Sequence, residues 1–222
     1  MSEKPNIAFT APHYAASQVG LNILEKGGTA IEAMVAAAAS IAVEYPHMNG
    51  MGGDGFWLIS EPGKSPVGID ASGVAAKGAT PSFYEGFDAI PSRGGKSALT
   101  MAGAVAGWQK ALEISHSWQS GLPLSTLFDT AISQANWGIE VTQSLVDASN
   151  KTFEELSIDE NFAQFLIKGK ALKINVQRVE ALSVIRRDAL WAYFLGPRGH
   201  DLIIYVVAST ETRFRILPLP NA

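Results

Sequence analysis

The chain has 222 residues, 47% hydrophobic and 17% charged, enough for one globular core or for a large piece of a bigger one. A formal charge of -4 with no basic block argues against nucleic acid as a partner, and the absence of cysteine excludes disulfides, thiolate metal sites and a cysteine nucleophile. The opening residues MSEKPNIAFT carry no apolar signal core, and the longest apolar stretch, residues 33–43, falls short of the roughly 20 residues a membrane span needs, so a cytoplasmic protein with no membrane partner is expected.

Residues 15–26 read as a helix, because Ala16, Val19, Ile23 and Leu24 recur at spacings of three and four on one face. Gly27 and Gly28 stop it, since glycine tolerates the left-handed conformation past a helix end. Thr29 and Glu32 form the T-x-x-E pattern of a capping box, which starts a second helix over residues 30–43. That helix is alanine-rich almost all round, and small side chains admit close neighbours, so it is expected to be among the most buried elements. Pro46 ends the helical region, and a glycine cluster at 50, 52, 53 and 55 makes a tight loop. Residues 56–60 and 67–70 then read as two antiparallel strands around a Pro62-Gly63 turn. Residues 71–97, rich in Gly, Pro and Ser, are irregular. Helices are expected again over residues 103–114, with Val105, Trp108, Ala111 and Leu112 on one stripe, and over 124–137, with Leu124, Leu127, Phe128, Ala131 and Ile132 inward. Residues 141–156 read as a polar surface helix. The character changes near Lys170. The tail beyond it holds the uncharged, β-branched run LIIYVV at residues 202–207 and a Pro-punctuated end, and it is expected to pack poorly and to favour self-association. The fold class read from this order is α+β.

The motifs that carry chemistry are few. Gly50-x-Gly52-x-x-Gly55 has the spacing of a dinucleotide fingerprint, but that fingerprint needs a strand before it and a helix after it, and here the order is reversed. Gly94-Gly95-Lys96-Ser97 resembles the end of a phosphate-binding loop, but Ile90 stands where its first glycine belongs. None of the four histidines is paired at i, i+4, so no zinc site is expected, and His47 is read as a structural loop residue. No G-x-S-x-G nucleophile elbow occurs. Asp54 and Asp70 fall at the ends of the glycine loop and of the second strand. They either line a polar pocket or cap their turns.

Four segments, APHYAASQVGLNILEKGGTAIEA, VEYPHMNGMGGDGFWLI, IDASGVAAKGATPSFY and TMAGAVAGWQKALE, together resemble the gamma-glutamyltransferase (gamma-glutamyltranspeptidase) family over residues 7–147. The forms YPHM and GGDGFWLI resemble in particular its oxamate amidohydrolase-like branch. The resemblance implies part of an N-terminal-nucleophile hydrolase αββα sandwich, and a proenzyme that cleaves itself into a large and a small subunit. It implies no cofactor and no metal. In such enzymes the new N-terminal threonine attacks an amide carbonyl while its own α-amine, which titrates near neutral pH, serves as base. That threonine heads a Thr-Thr-His run, and this sequence holds no Thr-Thr pair. The family's carboxylate-gripping arginine sits in a segment matched here by Asp70-Ala71-Ser72-Gly73-Val74, so Asp70, Ser72 and Val74 are the candidate substrate-pocket residues. Ser72 or Val74, depending on the alignment, replaces the arginine, and neither makes a bidentate carboxylate contact.

The resulting expectation is a large-subunit fragment, with residues 1–169 as the family-like portion and 170–222 as a divergent tail. It would be inactive alone, and its partners would be a small catalytic subunit and, once complemented, a small-molecule amide. A truncated or frameshifted gene and a separately encoded small subunit both fit this reading. The alternative is a non-catalytic binding or scaffold module derived from the same fold.

Overall fold

The computed structural model describes residues 7–92, 95–97, 100–118, 121–156 and 215–218. Helix α1 spans Tyr14–Glu25 and buries Ala16, Val19, Gly20 and Ile23, the face that the spacing indicates. It closes in a Schellman arrangement: the Gly28 N–H donates to the Ile23 carbonyl at 3.0 Å and the Gly27 N–H to that of Leu24 at 2.9 Å, with Gly27 at φ 84°. Helix α2, Ala30–Glu44, begins in the expected capping box. The Glu32 N–H donates to Thr29 Oγ1 at 3.1 Å, and the Thr29 N–H donates to Glu32 Oε2 at 2.8 Å. Twelve of its fifteen residues are buried, because α1 and the helices over residues 104–116 and 124–137 all pack against it.

Strands β1, Gly55–Ile59, and β2, Val67–Ala71, pair antiparallel with Trp57 opposite Ile69, and the turn between them closes through the Lys64 N–H to the Glu61 carbonyl at 3.1 Å. A third strand, β3, Arg215–Pro218, pairs antiparallel with the other edge of β2, giving the order β1-β2-β3. Trp57, Ile59 and Ile69 face the helices, whereas Phe56 and Leu58 point away and are exposed. Helix α3, Ala104–His116, lies against β1 and β2. Its stripe of Val105, Trp108, Ala111 and Leu112 is buried as expected, with Trp108 stacked on Phe128 of α4, Leu124–Trp137.

Three readings change. The segment after β2 is not wholly irregular, since 3-10 turns form at Pro81–Tyr84 and Gly95–Ser97. Helix α5, Gln143–Leu156, is more than a surface helix: its first turn inserts Leu145 and Val146 into the interior, the strong amphipathic pattern being confined to a narrow stripe. The end of the chain supplies β3, because β2 offers an unpaired edge to residues 215–218. The run at residues 202–207 lies outside the described residues.

Glu32 does more than cap α2. It is 1% exposed, and its Oε1 accepts the Leu122 N–H at 3.0 Å, so one carboxylate satisfies two backbone amides from different parts of the chain. Glu32→Ala leaves both amides unpaired and is expected to cost about 2–4 kcal/mol, read as a lowered urea midpoint. Glu32→Gln retains an acceptor and should lose clearly less. Equal losses for the two variants would refute the double-cap role.

Candidate functional site

The glycine loop joins α2 to β1, helix before and strand after, so its backbone has no helix N-terminus to offer a pyrophosphate. Its role is to bring chain segments together. The Gly53 carbonyl accepts the N–H groups of Gly103 and Ala104, at 3.0 and 2.9 Å, and so docks the start of α3. Asp54 Oδ1 accepts the Gly73 N–H at 2.9 Å, drawing in the segment beyond β2. That segment is tied to the lead-in of α3 as well, through the Met101 N–H to the Val74 carbonyl at 3.1 Å and a β-bridge between Ala75 and Thr100. The crossing is tight. A β-carbon at Gly73 would collide with the Met101 carbonyl, and one at Gly103 with the carbonyl of Ala71. Beside this junction an open groove of about 490 Å³ is lined by Pro46, Met48, Asn49, Gly50, Gly52, Gly53 and Asp54.

Of the residues singled out from the sequence, Asp70 is on β2 and Ser72 follows it directly. Asp70 Oδ1 accepts the Ser72 N–H at 2.9 Å, and hydrogen bonds from the Ser72 side chain and backbone hold the Asp70 carboxyl below the usual carboxylate range. Val74 is 45% exposed next to the junction. Asp70 thus caps the turn at the exit of β2, while Asp54 reaches across to another segment. Lys96, in the segment resembling a phosphate loop, is committed locally: its ammonium lies 4.4 Å from the Phe87 ring centre and donates to the Phe83 carbonyl at 3.1 Å.

A second polar cluster went unread in the sequence. Glu44, the last residue of α2, is 6% exposed. Its Oε1 accepts from Gln134 Nε2 at 2.8 Å, and Gln134 Oε1 accepts from the Ser40 hydroxyl at 2.9 Å. Burial first, and the nearby Glu140 second, push the Glu44 carboxyl up to about 7 against the opposing Gln134 hydrogen bond. Alongside, the Tyr45 ring packs against His13 and His47, at centroid distances of 5.9 and 4.2 Å. Burial lowers both imidazole pKa values, with Glu140 partly offsetting the effect at His13. His13 caps α1 by accepting the Ala15 N–H at 3.3 Å, whereas its Nε2 and the Nδ1 of His47 are buried without a hydrogen-bond partner among the described residues. No spacing rule marks this cluster, because α2, α4 and the α4–α5 connection meet only in the folded chain. Among the described residues no group of three His, Cys, Asp or Glu is placed to hold a metal, and no helix is long and apolar enough to cross a membrane.

Comparison with known proteins gives a consistent picture. The profile of the family described as Gamma-glutamyltranspeptidase matches residues 16–182. The chain is 47% identical over 199 residues to the oxamate amidohydrolase proenzyme of Klebsiella pneumoniae, covering 86% of this chain and 38% of that protein. It is 39% identical over 203 residues to a glutathione hydrolase-like proenzyme of Bacillus subtilis, covering 88% and again 38%. The chain thus spans well under half the length of these relatives. The solved structure of the Helicobacter pylori gamma-glutamyltranspeptidase superposes with a TM-score of 0.72 over 96% of this chain and 63% of that one, at 24% identity, a likeness of fold.

Proposed function

Because the chain belongs to the gamma-glutamyltranspeptidase family, we propose that it forms the N-terminal part of the large subunit of an amidohydrolase, and that the pocket it contributes takes a short donor of the oxamate type rather than a γ-glutamyl group. The observation that carries this is the exit of β2. Where the family's pattern has a carboxylate-gripping arginine, this chain has Ser72 or Val74, and the Asp70 carboxylate beside them is turned onto the Ser72 amide. A γ-glutamyl donor needs a cation several bonds from the scissile carbonyl to hold its α-carboxylate. Oxamate carries its carboxylate directly on the amide carbonyl, so it needs no cation at residues 72–74, only a wall that stands close to the short donor. The 47% identity to an oxamate amidohydrolase proenzyme supports the same donor class.

None of these 222 residues stands in a Thr-Thr-His run, so this part of the fold builds pocket and core while the nucleophile comes from a small catalytic subunit. On this reading residues 1–169 hold the pocket-bearing portion, with Asp70, Ser72 and Val74 at its wall, and residues 170–222 form a more divergent tail.

Purified alone, the chain is expected to release no ammonia from oxamate and no aniline from a γ-glutamyl anilide beyond a heat-killed control. Joined to the remaining part of the Klebsiella relative, it should favour oxamate over the anilide in kcat/KM by roughly ten-fold or more, and Ser72→Arg should narrow that ratio. Turnover by the isolated chain would overturn the division of labour. Preference of the joined protein for the anilide would overturn the donor assignment.

A further inference from the structure

The junction around the glycine loop is held largely by backbone. Gly53 binds the start of α3 through its carbonyl, and Val74 binds Met101 through another. The link from the glycine loop to residues 72–74 is different in kind, because it runs through a side chain, from Asp54 Oδ1 to the Gly73 N–H at 2.9 Å. Gly73 lies between the two positions that stand in for the arginine; Ser72 is held by Asp70 and Val74 by Met101, and the Gly73 amide is what ties the pair to the glycine loop. The approach is close here: the Met101 carbonyl lies against Gly73, and the Ala71 carbonyl against Gly103. An aspartate suits this place. It is exposed, and its short side chain puts a carboxyl oxygen within reach of the Gly73 amide. It is also the seventh member of the groove lining, so the loop that forms the groove and the segment proposed above as the pocket wall are joined by one hydrogen bond.

We propose that Asp54 is a positioning residue for donor selection: through the Gly73 amide it fixes where the Ser72–Val74 backbone stands relative to the glycine-loop groove. The role in donor selection rests on the pocket reading above, and the anchoring of Gly73 does not. Without the bond, residues 72–74 sample positions farther from the groove, which weakens donor binding while leaving the attacking group and its base, located elsewhere, unchanged.

The test uses wild type, Asp54→Ala and Asp54→Asn. In the 222-residue chain, amide hydrogen exchange at Gly73 should quicken about five-fold in Asp54→Ala, with α2 amides unaltered, and stay within about two-fold of wild type in Asp54→Asn, whose side-chain oxygen still accepts. In the chain joined to the remainder of the Klebsiella relative, Asp54→Ala should raise KM for oxamate about five-fold with kcat little changed, and Asp54→Asn should restore most of it. Unchanged exchange at Gly73 in Asp54→Ala, or a fall in kcat with KM constant, would overturn the proposal. If the joined protein ignores oxamate altogether, the donor assignment and the selection role fall together, while the exchange measurement still decides whether Asp54 anchors the loop.

Discussion

Ala37→Glu is expected to cost about 4 kcal/mol or more, a large share of the ~5–15 kcal/mol by which whole domains are stable. Ala37 is 3% exposed and packs with Ala16 of α1 and with Ile41, where the absence of bulk lets the two helices approach closely. Glutamate there must either bury an ionised carboxylate in an apolar cluster or protonate and still force the helices apart. A control separates this from any effect of helix propensity. Met34, on the same helix, is 45% exposed, and Met34→Glu should change stability by no more than about 0.5 kcal/mol. Urea titrations of the two variants check the pair. Comparable midpoints would remove α2 from the centre of the fold.

The second large effect is a pH dependence centred on Glu44. The folded state holds this carboxyl near 7, against an ordinary value of 4.5. A folded state that binds the proton more tightly than the unfolded chain loses stability as pH rises. Glu44 therefore contributes nothing adverse below about pH 4.5, destabilises progressively between there and about 7, and reaches a constant penalty above. A shift of this size corresponds to up to ~3 kcal/mol. The helix dipole acts in the same direction, because Glu44 is the last residue of α2 and a negative charge is disfavoured there. The histidines act oppositely: burial lowers the pKa of both His13 and His47, so their contribution favours the folded state as pH rises toward 6.5. The wild-type profile is a sum of these terms, and the difference from Glu44→Gln isolates one of them. That variant keeps an acceptor for Gln134 and cannot ionise. It should be more stable than wild type at pH 8 by about 1–3 kcal/mol, with the gain vanishing toward pH 4.5, measured as urea midpoints across the range. A difference that does not vary with pH would sink the assignment.

What the sequence determined by itself was whatever depends on near neighbours. The Thr29–Glu32 box, the Gly27-Gly28 stop, the stripes of α1, α3 and α4 and the β1–β2 hairpin are all set within a few residues. Spacing and turn chemistry report them faithfully. The family was legible for a related reason, since its glycine loop and flanking elements form one continuous stretch. Tertiary structure alone decided the rest. Glu32 reads as a local cap, but the Leu122 amide, ninety residues away, makes it a double one. Asp54 reads as a turn residue until Gly73 arrives from beyond β2. Glu44 is an ordinary helix-end acid in sequence, and it acquires its raised pKa only when burial removes water and Glu140 comes near. Leu145 and Val146 are two apolar residues in a polar helix until the interior receives them, and residues 215–218 become a strand only because β2 has an edge left to pair. The common physical reason is that desolvation, charge proximity and hydrogen-bond partnership depend on distance in space, and a linear pattern records distance only along the chain.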